Sequence, residues 1–146
     1  MAITQAIANS FKKELLEGEH NFKSSGGDKF KIALYTSSAT LNSATTAFTA
    51  TNEVANIGQY TSGGGALTNS GTSITAGVAR VDFADRSFTG VTLTARGALI
   101  YNTSATATNA AVCALDFGSD KTATAGVFTI QFPAATSTAA ILRISG

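Results

Sequence analysis

From Asp28 onward, apolar side chains recur at every second position in short runs, and no other feature constrains the fold as tightly. Phe30, Ile32 and Leu34 alternate with Lys29, Lys31 and Ala33. Successive side chains of an extended chain point to opposite faces, so this spacing is that of a half-buried strand. Further strands are expected at residues 78–84, 88–94, 97–102, 111–117, 126–132 and 139–144. Cys113, Leu115 and Phe117 form one apolar side, with Asp116 outward; Phe128, Ile130 and Phe132 oppose Thr129 and Gln131. Arg96-Gly97 is expected to turn a tight hairpin between two strands. The sole proline, Pro133, is expected to end a strand, since it has no N–H for a ladder. Many short strands with polar turns predict a mainly β fold, a β-sandwich or jelly-roll-like domain.

Residues 37–76 depart from this pattern. They form a Thr/Ser/Ala/Gly-rich excursion with sparse apolar anchors at Leu41, Phe48, Val54, Ile57, Tyr60, Leu67 and Ile74. A structureless loop of that length inside a compact domain is rare. Short strands are therefore expected near 58–68 and 71–76, and a neighbouring subunit could order the rest. At the other end, residues 3–17 show a helical period. Ile3, Ala6, Ile7, Phe11 and Leu15 share one stripe, with Gln5, Asn9, Lys12 and Lys13 opposite. Thr4 suits an N-cap, and Gly18 the left-handed position after the last turn. The reading is one N-terminal α-helix over 3–17 and a β-sandwich over 28–146, in a single domain spanning 1–146.

The chain has 146 residues, a net charge of +1 and one cysteine. A fold of this size buries about 70% of its unfolded surface, enough for a core without a disulfide or metal. Basic residues are scattered and interleaved with Glu14, Glu17, Glu19 and Asp28, which argues against a nucleic-acid partner. No run approaches the roughly 20 apolar residues of a membrane-spanning helix. The N-terminus lacks the pattern of a secretory signal, so synthesis and folding in the cytoplasm are expected.

Charge is scarce. Charged residues make up 13%, about half the usual share. Between Lys31 and Arg80 the only charge is Glu53, and none lies between Arg96 and Asp116 or between Lys121 and Arg143. Interspersed charge keeps protein surfaces apart. Such a surface is either an aggregation liability or one meant to be covered by neighbours, and the second reading is preferred.

Little in the sequence can do chemistry. His20, the only histidine, follows a helix end and reads as a surface or capping residue rather than a general base. One histidine and one cysteine make no zinc set, and Cys113, on the apolar side of its strand, reads as core. Arg80 and Asp82 alternate on one strand face as a surface pair. Glu53 stands apart, either a buried or interfacial partner for an arginine or an exposed turn carboxylate. Gly63-Gly64-Gly65 lacks the Gly-Lys-Ser/Thr ending of a phosphate loop and reads as a flexible turn. Asn102-Thr103-Ser104 matches a glycosylation acceptor without a secretory context. Tyr35, Tyr60 and Tyr101 could stack on sugars; the preferred reading makes them strand-edge aromatics with hydroxyls in water. No catalytic residue, cofactor or metal is expected, and the chain is not read as an enzyme.

Several stretches carry a resemblance. Ile3-Thr4-Gln5-Ala6-Ile7, Ser10-Phe11-Lys12, Glu14-Leu15-Leu16 and His20-Asn21-Phe22 resemble the opening of a group of small bacteriophage structural proteins. So does Phe30-Lys31-Ile32-Ala33-Leu34-Tyr35-Thr36, leading into Ser37-Ser38-Ala39-Thr40-Leu41. Thr51-Asn52-Glu53-Val54, followed by Gly58, Tyr60 and Gly63-Gly64, is similar to a later stretch of the group, with Gln59 inserted between the glycine and the tyrosine. The resemblance implies a β-sandwich virion component, most plausibly a capsid decoration (cement) protein on the capsid exterior. Its implied partners are the major capsid protein and further copies of itself, a trimer being favoured. A tail or head–tail connector protein is the alternative, and a carbohydrate-binding host-recognition module a third. The candidate contact residues are Ile3, Ile7, Phe11 and Leu15 on the helical stripe, with Glu53 and Tyr60 in the excursion.

Overall fold

The structure, a computed structural model, describes residues 2–136 and 138–145. These residues form β1 (Ala6–Ile7), α1 (Asn9–Leu16), β2 (Phe30–Tyr35), β3 (Gly65–Ala66), β4 (Asn69–Thr75), β5 (Val78–Phe83), β6 (Arg86–Asn102), β7 (Ala110–Ile130) and β8 (Leu142–Ile144). The strands pair antiparallel in two sheets, β1-β7-β6-β2-β3 and β4-β5-β8. The chain is thus mainly β with one short helix, as the period-two runs predict.

The four runs expected at 88–94, 97–102, 111–117 and 126–132 are in fact two strands. β6 and β7 are 17 and 21 residues long, against a usual strand length of about 3–10. Arg96-Gly97 turns no hairpin and lies inside β6. The residues that look like turns are bulges, which absorb extra residues while the ladder continues. Register shifts fall at Phe88/Val91, Val91/Leu93, Ala95/Gly97 and Ile100/Tyr101. Gly90, Gly118 and Ala125 lie at three of them with φ of 64°, 83° and 44°. Across one shift Arg96 meets Asp116 at 3.1 Å. The Gly118 N–H, and then Arg96, hold that carboxyl below its usual range.

Gly97 is a close approach rather than a turn. A Cβ there would lie 2.4 Å from the Leu115 carbonyl oxygen and 2.9 Å from Cδ1 of Ile3. That contact also explains the N-terminus. The helix expected over 3–17 starts only at Asn9, and the expected N-cap Thr4 is extended chain. Thr4 N–H donates to the Leu41 carbonyl at 2.8 Å, Ile3 bridges to Leu41, and Ala6–Ile7 pair with Cys113 and Ala114 of β7. Strand pairing satisfies these backbone groups and overrides the helical spacing, which extended residues at 3 and 7 satisfy by coincidence. Ala8 occupies the N-cap without a side-chain cap, while Gly18 takes the left-handed position at φ 77°. An eight-residue helix is marginal alone, so its packing through Phe11 and Leu15 against the core sustains it.

In the excursion, the strand expected near 58–68 shrinks to β3, and β4 covers the one expected near 71–76. β5 matches residues 78–84, and β8 is shorter than the run at 139–144. β2 is buried on both faces from Ile32 on, Ala33 and Tyr35 included. An aromatic column links the parts: Phe11 to Phe22 at 6.0 Å, Phe22 to Phe30 on β2 at 4.5 Å, and Phe30 to Phe83 on β5 at 5.7 Å. Gly97→Ala is expected to destabilise the fold by about 1–3 kcal/mol, the usual range for overpacking, because the Leu115 backbone cannot retreat without breaking the β6–β7 ladder. Chemical denaturation monitored by circular dichroism reads this directly.

Candidate functional site

β2 has one flank that no full-length strand covers. β6 pairs with it along its whole length on one side, but β3 reaches only Lys31 and Ile32 on the other. Beyond that point the excursion seals the edge piece by piece. The Leu34 N–H donates to the Tyr60 hydroxyl at 2.7 Å, and Val54 N–H donates to the Leu34 carbonyl at 2.9 Å. Tyr35 bridges to Glu53, and Thr36 N–H donates to the Asn52 carbonyl at 3.0 Å. A phenol oxygen stands where a strand's carbonyl would be.

Glu53 holds that phenol in place. Its carboxylate accepts from Tyr60 Oη at 2.7 Å, Ser62 Oγ at 2.8 Å and Gly63 N–H at 2.7 Å. The arginine partner considered for Glu53 is not what meets it; neutral donors do. Gly63-Gly64-Gly65 is no loose turn either. It wraps the carboxylate, with the Tyr101 hydroxyl donating to the Gly63 carbonyl. Gly64, at φ 80°, passes so close to β2 that a Cβ would lie 1.8 Å from the Ile32 carbonyl oxygen.

All three tyrosines are buried, Tyr35 and Tyr60 completely. The expectation of strand-edge aromatics with hydroxyls in water is therefore corrected, and none presents a ring on which a sugar could stack. Tyr35 Oη donates to the Thr49 carbonyl at 2.6 Å. Burial, with the nearby Glu53 charge adding to it, pushes the phenols up: Tyr101 to about 12, Tyr35 and Tyr60 beyond the ordinary tyrosine range. Burial also raises the Cys113 thiol to about 12, so it sits in the core as an inert group.

His20 is likewise not at the surface. Its side chain is fully enclosed, 4.7 Å from the Phe11 ring. Nε2 lies 3.0 Å from Glu14 Oε1, and Nδ1 lies 3.0 Å from Asn102 Nδ2. Asn102 Oδ1 accepts from Ser104 N–H at 2.8 Å, which fixes the amide orientation. The Nδ2 group therefore donates to both His20 and Asp28. His20 Nδ1 is then the acceptor, and Nε2–H donates to Glu14. This network ties α1 to the end of β6; nothing in it opens toward a substrate.

The candidate contact residues separate. Ile3, Phe11 and Tyr60 are buried within the chain, Leu15 packs partly against the core, and Ile7 is 36% exposed. Glu53 is half-buried in the edge seal. Arg80 donates to Thr75 Oγ1 at 2.8 Å rather than pairing with Asp82. Among the described residues, no three His, Cys, Asp or Glu side chains gather to hold a metal, and no helix is long and apolar enough to cross a membrane. The seal escapes sequence reading because its donors come from separate types of residue. The available signal is a lone carboxylate followed within ten residues by Tyr60, Ser62 and Gly63. No family model, curated protein or solved structure matches the chain.

Tyr60→Phe leaves the Leu34 N–H buried without an acceptor and takes a donor from Glu53; a loss of about 1–3 kcal/mol is expected in denaturant unfolding. Glu53→Gln is expected to cost a similar amount, because an amide nitrogen cannot accept where three donors converge. The phenols also give a pH signature. Their folded values lie above the ordinary tyrosine value of about 10, so the stability they contribute is complete below about pH 10 and is lost as pH rises through the folded values. Tyrosinate absorbance at 295 nm should therefore appear together with loss of the circular dichroism signal, not before it.

Proposed function

We propose that this chain is a non-enzymatic virion structural protein, a capsid decoration protein that binds the assembled shell of the major capsid protein as a homo-oligomer. One observation carries the reading most of the way: the groups suited to chemistry are turned inward, and long stretches of what faces outward carry hydroxyls rather than charge. His20, Glu53 and the three tyrosines are engaged in internal hydrogen bonds. Along the β6–β7 ribbon the exposed pairs are hydroxyls, Ser87 with Thr129 and Thr94 with Thr122, each at 2.9 Å. Such a ladder can be covered by another protein without stranding a buried charge, which is costly. The resemblance of the first half of the sequence to small phage structural proteins supplies the virion context.

The same reading treats the two sheets as the layers of a β-sandwich. Its support is the contact of Phe30 on β2 with Phe83 on β5, which joins the five-stranded to the three-stranded sheet. Apolar faces of two sheets commonly meet in this way.

The test is co-sedimentation of the purified protein with undecorated phage shells assembled from a major capsid protein. Saturable binding at micromolar concentration is expected, with electron microscopy showing a regular array on the shell. Absence of binding, or labelled protein found along a tail instead, overturns the assignment.

A further inference from the structure

Arg86, half-buried at the start of β6, makes no hydrogen bond and no ion pair with any described residue. Arg96 and Arg80, by contrast, reach Asp116 and Thr75. The Nε–H of Arg86 is sealed from solvent without an acceptor, while its two terminal nitrogens are not sealed. The acids that might have met it are engaged elsewhere. Asp85, its neighbour in sequence, accepts from the Phe132 N–H at 2.9 Å, and Glu53 accepts from three neutral donors.

The guanidinium nevertheless sits in a built slot. Its Cζ lies 4.7 Å from the centre of the Phe88 ring. On another side, a Cβ at Gly65 would lie 2.5 Å from both Nε and Nη2 and 2.7 Å from Cζ. The charged group therefore fills the space that a side chain at position 65 would take. Phe88 is fully buried and is itself held by the Tyr60 ring, 5.1 Å away and steeply tilted. Cation–π attraction holds the charge in place, but it uses none of the five N–H donors. A fork fixed before its ligand arrives loses little further freedom on binding.

We propose that Arg86 is a carboxylate-binding site, and that the carboxylate is an acidic side chain of the shell protein. A carboxylate is planar and takes two parallel bonds from the two terminal nitrogens. One guanidinium neutralises it in full, whereas a phosphate dianion is neutralised only by half. Covering a half-buried cation with a surface that offers no acid would be costly, so any partner that covers Arg86 must bring one. The identity of the partner rests on the shell-binding reading; the carboxylate site does not.

Two measurements test this. In nuclear magnetic resonance of the nitrogen-15-labelled chain, the Arg86 Nε–H signal is followed as sodium acetate replaces sodium chloride at constant ionic strength. Arg86→Met, which keeps an apolar stem over Phe88, identifies the signal by its loss. A saturating shift is expected; no shift, or a tighter response to inorganic phosphate, overturns the carboxylate site. In co-sedimentation with phage shells, Arg86→Met and Arg86→Lys should each bind at least about tenfold more weakly, as for an arginine at the centre of a contact, with unchanged far-ultraviolet circular dichroism. Lysine should not rescue, because a point charge lacks the fork. Shell binding indifferent to both substitutions overturns the inference and leaves shell binding standing. A wild-type chain that binds no shell, while acetate still shifts Arg86, overturns the shell assignment alone.

Discussion

The hydrogen bond from the Leu34 N–H to the Tyr60 hydroxyl closes the open flank of β2, the strand next to the edge of the larger sheet. β2 is paired in full by β6 but only at its start by β3, so its buried flank would otherwise carry an unmet donor, which costs more than a normal hydrogen bond contributes. A phenol can accept from the backbone and donate onward at once. Tyr60 does both, accepting from Leu34 and donating to Glu53. The carboxylate in turn fixes Ser62 and Gly63, and Tyr101 on β6 secures Gly63 from below. A long polar excursion is ordered in this way by one acid and two phenols rather than by a strand of its own.

That arrangement sets the character of the rest of the molecule. With the excursion spread along β2, the long β6–β7 ribbon supplies most of the remaining sheet, and it bends through bulges rather than ending at turns. Its residues turned to solvent are mostly Thr, Ser and Gly, and its Arg96–Asp116 pair sits at a bulge. The smaller sheet is joined through the Phe22, Phe30 and Phe83 rings. The Arg96–Asp116 and Glu53 contacts thus serve local geometry, and hydroxyls rather than charges dominate the exposed face of the ribbon.

The strand class was legible because alternation over Phe30, Ile32 and Leu34 or over Val81 and Phe83 needs no tertiary knowledge. The lengths of β6 and β7 were not, because Gly97 in a close approach and Gly118 in a bulge look the same in a sequence as glycines in a turn. The N-terminal helix was overextended for a related reason: Ile3 and Ile7 fit a helical stripe, yet their backbone partners, Leu41 and β7, are remote in sequence. Glu53 stood out as a lone acid, and its isolation did mark a structural hub. A lone acid suggests an arginine partner, but a partly buried carboxylate is satisfied equally well by three neutral donors. His20 carried no local sign of burial, since Asn102 is 82 residues away.

Scarce charge leaves edge-to-edge pairing unguarded by the charged edge residues that normally block it. The edges are defended by other means. β1 and β3, the outer strands of the larger sheet, have two residues each, too few to template a ladder, and the flank of β2 beyond β3 is sealed by Tyr60 and Val54. β8 has three residues. Two long edges are left among the described strands, and both are bent: β4 by a register shift between Asn69 and Gly71, where Gly71 has a φ of 99°, and the part of β7 beyond its two-residue pairing with β1 by the irregularities at Gly118 and Ala125. Short, sealed or bulged edges resist strand addition without a charge in the way. A neutral surface is then no longer an aggregation liability by default; it is free to be a contact surface, and the molecule can be poor in charge because its backbone edges are closed by shape.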